Sequence, residues 1–323
     1  MLKTVPKVSK QILNKDILSI LEKNYSEIVP IWIPMQTRWM NNLYRTFYDY
    51  DKFMIIIHLL LKTFNFYSKN FVKLNYQEYF DQREVEIKEI NIMEISSSLN
   101  LAKETTRRKV NELETLGTIK RTKKRITIDR KTWPTIKPEE TTKRMSQFLS
   151  ILSKMLYKEK MITVPLTSDR ITIGIKDNFS YVWKLYYEIQ IPMLLSYKKI
   201  FGDLETTHIQ GICLSNQVLN SKKIDNSKMS KKFYLEKYFI NDRKGSLGIN
   251  AMSISDITGI PRATVIRKLK KLIKEGFLSI NDKKHYYVTG THMEELAVVQ
   301  KNTFKNLSLF AELVYNLCLN KSN

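Results

Sequence analysis

Arg262, Thr264, Arg267 and Lys268 crowd a short stretch of helical spacing, and Lys103, Thr105, Arg107, Arg108 and Lys109 do the same 159 residues earlier. Guanidinium and ammonium groups in that pattern suit hydrogen bonds to guanine edges in a major groove, with threonine methyls able to meet thymine. A second cationic group follows each stretch: Lys123, Lys124 and Arg125 in the first, Lys283 and Lys284 in the second. Basic tips of this kind reach phosphates or a narrow minor groove. Because most protein–DNA hydrogen bonds go to the backbone, these side chains are expected to hold a duplex as well as read it.

Such residues need a rigid platform, and the sequence around them supplies one. Over residues 249–289, Ile254 and Ile257 predict a short helix with an apolar stripe, and Gly259 supplies a turn at positive φ. Pro261 suits the first position of the next helix, where a missing N–H costs nothing. Val265, Leu269, Leu272 and Ile273 give that helix a core-facing stripe and leave Arg262, Ala263, Thr264, Arg267, Lys268 and Lys271 largely outward. Gly276 ends it, Phe277–Ile280 and His285–Val288 read as two strands, and Asn281–Lys284 joins them as a hairpin tip.

Residues 90–129 repeat this pattern. Ile90, Asn91, Met93, Ile95, Ser96, Thr105, Arg108, Lys109, Leu113 and Gly117 match Ile249, Asn250, Met252, Ile254, Ser255, Thr264, Arg267, Lys268, Leu272 and Gly276. Asn100 replaces Gly259 at the turn, and asparagine tolerates the left-handed region better than other side chains. Tyr79-Phe80 and Tyr238-Phe239 keep the same offset, while Ile33-Pro34-Met35 pairs with Ile191-Pro192-Met193, and Leu149-Ser150 with Leu307-Ser308, at 158. The pattern predicts a duplicated unit of roughly 160 residues. The expected fold is mainly α with small β-hairpin wings, in tandem halves 1–160 and 161–323 with flanking helices and a core each.

Each copy resembles the DNA-binding region of winged helix-turn-helix transcriptional regulators of the MarR, IclR and Crp type. The resemblance covers two stretches of about 40 residues. It implies a second helix lying in the major groove, a hairpin wing on the backbone, double-stranded DNA as partner, and transcription regulation as function. Two motifs in one chain imply a monomer, or a homodimer with four motifs, on a site whose halves differ, since Arg107 stands where the second copy has Ile266. Plasmid replication initiators also resemble tandem winged helices, and winged helices can dock protein as adaptors.

Composition agrees with a polyanionic partner. The chain has 323 residues and a formal charge of +22, from 54 Lys plus Arg against 32 Asp plus Glu. Residues 103–131 hold eleven basic and four acidic residues, and residues 262–284 hold eight and two. The apolar run Phe53–Leu61 is too short for a bilayer and reads as a core helix or a packing helix between halves. No secretory leader is evident, and Cys213 and Cys318 cannot form a disulfide framework. A cytoplasmic, nucleoid-associated protein is expected. His58, His208, His285 and His292 fall in no metal or nucleophile pattern, and with 9 glycines there is little material for a phosphate loop, so neither enzyme activity nor a cofactor is expected.

Five further expectations concern the flanks. An amphipathic helix is expected around Ile12–Leu21, Pro30 and Pro34 should interrupt whatever follows it, and Arg170–Ile175 alternates like a strand. Residues 64–80 interleave aromatics and lysines, which suits core packing better than base stacking. Asn220–Lys232 is lysine-rich without periodicity and reads as a loop.

Overall fold

A computed structural model describes residues 12–82, 84–88, 91–122, 125–129, 138–241 and 247–319. It is mainly helical, with two small antiparallel sheets. The first series of elements is α1 (Asn14–Lys23), α2 (Tyr25–Phe47), α3 (Tyr50–Lys69), α4 (Tyr76–Phe80), β1 (Glu84–Lys88), α5 (Ile92–Leu99), α6 (Lys103–Thr115), β2 (Ile119–Thr122), β3 (Arg125–Asp129) and α7 (Glu139–Lys158). The second is α8 (Ser168–Asp177), α9 (Phe179–Phe201), α10 (Leu204–Ile224), α11 (Lys231–Leu235) running into a π-helical turn (Glu236–Ile240), α12 (Ala251–Thr258), α13 (Arg262–Lys274), β4 (Leu278–Ile280), β5 (Tyr286–Val288) and α14 (Met293–Leu319).

The two series run in parallel. α1 and α8 have 10 residues each, α2 and α9 have 23, α5 and α12 have 8, α6 and α13 have 13. Asn24 and Asn178 both separate the first two helices, and their amides donate to Ile20 and Gly174 carbonyls at 2.9 and 2.8 Å. Asp49 and Asp203 cap α3 and α10. These residues set an offset of 154 for the leading helices. The Ile-Pro-Met segments therefore correspond one helical turn out of step, at 158. The shift to 159 in the motifs falls between α3 and α5, where the second series carries the π-helical turn, an extra length typical of an insertion. β1 pairs with β3 in a three-stranded sheet of order β1-β3-β2; among the described residues of the second series, β5 is met on its far side by one bridge, between Ile249 and Tyr286.

The order of elements starts again near residue 160, but the core does not. Buried side chains from Ile12 to Cys318 form one continuous hydrophobic cluster in place of the two expected cores. Each half's leading helices pack against the other half: α2 lies on α10, α3 on α9, α1 on α14, and α7 on α8. α3, with Ile55, Ile56, Ile57 and Leu59 fully buried, is of the two expected roles the packing helix between halves. Trp39 meets Tyr186 edge-on with ring centres 5.7 Å apart, and Phe64 stacks on Tyr187 at 6.2 Å. The aromatics of residues 64–80 divide: Phe64, Tyr79 and Phe80 are buried, Phe66 and Phe71 exposed.

Three flank expectations are overturned. α2 runs through Pro30 and Pro34, both buried, because tertiary packing holds a helix that local hydrogen bonding alone would break. Arg170–Ile175 is helical, with Ile171 and Ile175 buried one turn apart and Ile173 outside. The expected loop at Asn220–Lys232 shrinks to residues 225–230, where the Met229 side chain is buried and its N–H donates to the Ser26 hydroxyl at 2.9 Å.

Candidate nucleic-acid interface

Both motifs are built by the same local bonds. The Asn91 side chain accepts from the Glu94 N–H at 2.9 Å to start α5, and Asn250 accepts from the Ser253 N–H at 2.8 Å to start α12. Ser96 donates to the Leu101 carbonyl at 2.6 Å and Ser255 to the Ile260 carbonyl at 2.7 Å, so each serine ties the first helix to the turn. Asn100 at φ 48° and Gly259 at φ 74° make the left-handed turns. Pro261 is the residue before α13 rather than its first, and Ala102 holds that place before α6. Val110 and Leu113, and Val265, Leu269 and Leu272, are fully buried. Ile257 is not; it stays 40% exposed, leaving Ile254 to anchor α12. In the second wing, the Asn281 side chain accepts from the Lys283 and His285 N–H groups at 3.1 and 2.9 Å, shaping a tip with Lys283 and Lys284 exposed.

The outward faces differ sharply in charge. α13 carries six cations and no carboxylate. Arg262 and Arg267 are exposed and make no ion pair among the described residues, and Thr264 and Ile266 are half-buried beside them. α6 carries four cations and three carboxylates. Lys103 is exposed and Thr105 half-buried; Arg107 binds Glu104 at 3.0 Å, and Arg108 lies 3.8 Å from Glu112. Glu112 is also held by Lys52 at 2.8 Å, and that hydrogen bond lowers its pKa.

The first wing is similarly occupied. β1, which the motif alone does not predict, sets Glu84 and Glu86 beside it: Lys120 reaches Glu84 and Asp129 at 3.3 and 3.2 Å, and Arg125 reaches Glu86 at 3.0 Å. Arg121 is taken by Glu114, whose pKa the bond lowers. Lys123 and Lys124 lie outside the described residues. Surface ion pairs of this kind are weak and exchangeable, but they offset charge that composition alone credits to the wing.

Lys109 and Lys268 do not join these faces. Lys109 pairs with Asp49 and Lys268 with Asp203, the caps of α3 and α10, and Lys268 is buried. Asp203 is raised by burial, yet the Lys268 bond and the Thr206 N–H and hydroxyl more than offset this and leave its pKa below the usual value. Both lysines therefore brace the second motif helix against the scaffold. The sequence places them outward because each sits at the edge of the apolar stripe, next to Val110 or Leu269. Lys271, also expected to point outward, is a third brace: its ammonium donates to the Phe201 carbonyl at 2.7 Å.

His208 is buried and its Nδ1 is hydrogen-bonded to the Tyr50 hydroxyl, joining the starts of α3 and α10. Among the described residues, no group of three His, Cys, Asp or Glu side chains is placed to hold a metal, and no helix is long and apolar enough to cross a membrane. No protein-family model, curated protein or solved structure matches the chain.

Proposed function

We propose that the chain is a sequence-specific double-stranded DNA-binding protein, a duplicated winged helix-turn-helix regulator of transcription. The observation that carries this is α13: Arg262 and Arg267 exposed and without an ion pair among the described residues, on a helix with no carboxylate, set by a left-handed turn and followed by a hairpin bearing Lys283 and Lys284. A helix of that charge fits the major groove, and the hairpin fits the adjoining backbone. The α13 unit is the main reader. The α6 unit, with its carboxylates, is a weaker and differently selective second contact through Lys103, Thr105, Arg107, Arg108 and Arg125. Braces at Lys109 and Lys268 keep both helices fixed, which lowers the cost of ordering them on DNA.

Selection of bound sequences from a random duplex pool, followed by titration at several salt concentrations, tests the reading. A recovered site with one strongly and one weakly specified half is expected. Absence of duplex binding at low salt would overturn it in favour of a protein-docking role. Recovery of repeated sites that the protein opens would move the function to replication initiation.

A further inference from the structure

A cavity of about 390 Å³ lies between α2, α9, α10, α11, β5 and α14. Its walls are largely apolar, with Val29, Ile33, Met193 and Tyr197 among them, and the exposed Lys231 and Glu294 mark its rim with opposite charges. Gln36 and Gln210 also line it. Gln36 is 7% exposed and Gln210 4%, yet neither amide atom of Gln36 nor the carbonyl oxygen of Gln210 has a hydrogen-bond partner among the described residues. Buried amides without partners are rare in folded proteins, because each has given up water for nothing.

The other half shows what the same place looks like when filled. Applying the offset of 154, Val29 corresponds to Trp183, Ile33 to Tyr187, Thr207 to Phe53 and Met193 to Trp39. Those four larger side chains line a smaller hollow of about 230 Å³. One fold thus holds two equivalent sites, one narrowed by aromatic rings and one left open by the smaller Val29, Ile33, Met193 and Thr207; Gln190, the counterpart of Gln36, is likewise buried without a partner among the described residues, but of the two only Gln36 lines the hollow of its half. Close packing is the norm for protein interiors, and an opening of this size falls in the range of small-molecule sites.

We propose that the cavity beside Gln36 is a binding site for a compact, uncharged, largely apolar molecule of one or two fused rings with a single hydrogen-bonding head. The ring body fills the space that Trp183 and Tyr187 fill in the other half. The head, a carbonyl or hydroxyl, bonds the Gln36 carboxamide. A charged head is disfavoured because the interior offers no cation, and the rim charges cancel. The proposal goes beyond DNA binding and does not depend on it.

The test uses the full chain and two fluorescent probes: prodan, an uncharged naphthyl ketone, and 2-naphthoate, which has the same rings and a carboxylate. Saturable binding of prodan with a blue-shifted emission is expected, at least about ten-fold tighter than naphthoate. Val29→Trp and Ile33→Tyr, which install the other half's side chains, should each weaken prodan binding by about ten-fold or more. Gln36→Leu, nearly isosteric, should weaken prodan by a similar factor and leave naphthalene itself unchanged. Circular dichroism and melting curves confirm folding, and if Val29→Trp fails to fold, Gln36→Leu decides. No saturable prodan binding, tighter binding of naphthoate, or folded variants that bind prodan like the parent would each overturn the assignment.

Discussion

Lys268, in the middle of α13, is ion-paired with Asp203, the residue that caps α10, and Lys109 stands in the same relation to Asp49 half a chain earlier. The pair ties the second helix of the motif to the first turn of a core helix. Function and stability should therefore separate along one helix. Lys268→Ala is expected to lower unfolding free energy by about 1–3 kcal/mol, the cost of stranding one side of a partly buried pair. Urea unfolding measures it; an unchanged midpoint would remove the brace.

Arg267→Ala should do the reverse. It leaves stability nearly unchanged and weakens binding to the selected site by about 1–3 kcal/mol. Arg108→Ala should cost less, because Glu112 competes for its guanidinium. Equal losses in a titration of both variants would argue that the two helices read DNA alike.

The carboxylates around the first wing offer a gain of affinity. Glu86→Gln and Glu114→Gln release Arg125 and Arg121. Binding to all duplexes should strengthen, and the slope of log affinity against log salt should steepen by about one unit per cation that gains a phosphate. Neutralising Lys123, Lys124 and Arg125 together should flatten it. A changed base preference at constant slope would point to base contacts instead.

Acid should weaken the fold through His208. Burial pushes its pKa down to about 3. An imidazole with a folded pKa below its unfolded value of about 6.5 contributes fully above that value and loses the contribution as pH falls toward 3. Unfolding free energy should be about 3 kcal/mol lower at pH 4 than at pH 7. His208→Asn, whose amide offers Tyr50 a hydrogen-bond partner without a titrating group, should flatten that part of the curve; an unaltered pH dependence would show that other groups control it.

Much of the motif geometry was readable from local chemistry. Asn91 and Asn250 as caps, Asn100 and Gly259 as turns, and the Lys283–Lys284 tip all depend on residues within a few positions of one another. What the sequence hid depends on distant partners. Lys109 meets a carboxylate 60 residues away and Lys268 one 65 away, and nothing in the helical spacing announces either. Glu84 and Glu86 precede the repeated pattern, and only the pairing of β1 with β3 brings them beside the wing. Ile171, Ile173 and Ile175 satisfy a strand's alternation, but burial of only the first and last matches a helix. The helix register, off by one turn when aligned on prolines, became legible through Asn24 and Asn178.

The crossing of the halves has a consequence for how the chain reaches this state on a ribosome. Ile12 at the edge of α1 exchanges hydrogen bonds at 3.1 Å with Asn316 near the end of α14, across 304 residues. α2 and α3 likewise wait for α10 and α9. The apolar faces of the first three helices therefore emerge long before their partners, at a synthesis rate of about 5–20 residues per second. Nascent chains stalled at residue 160 should be protease-sensitive and captured by chaperones, and docking should follow release rather than accompany elongation.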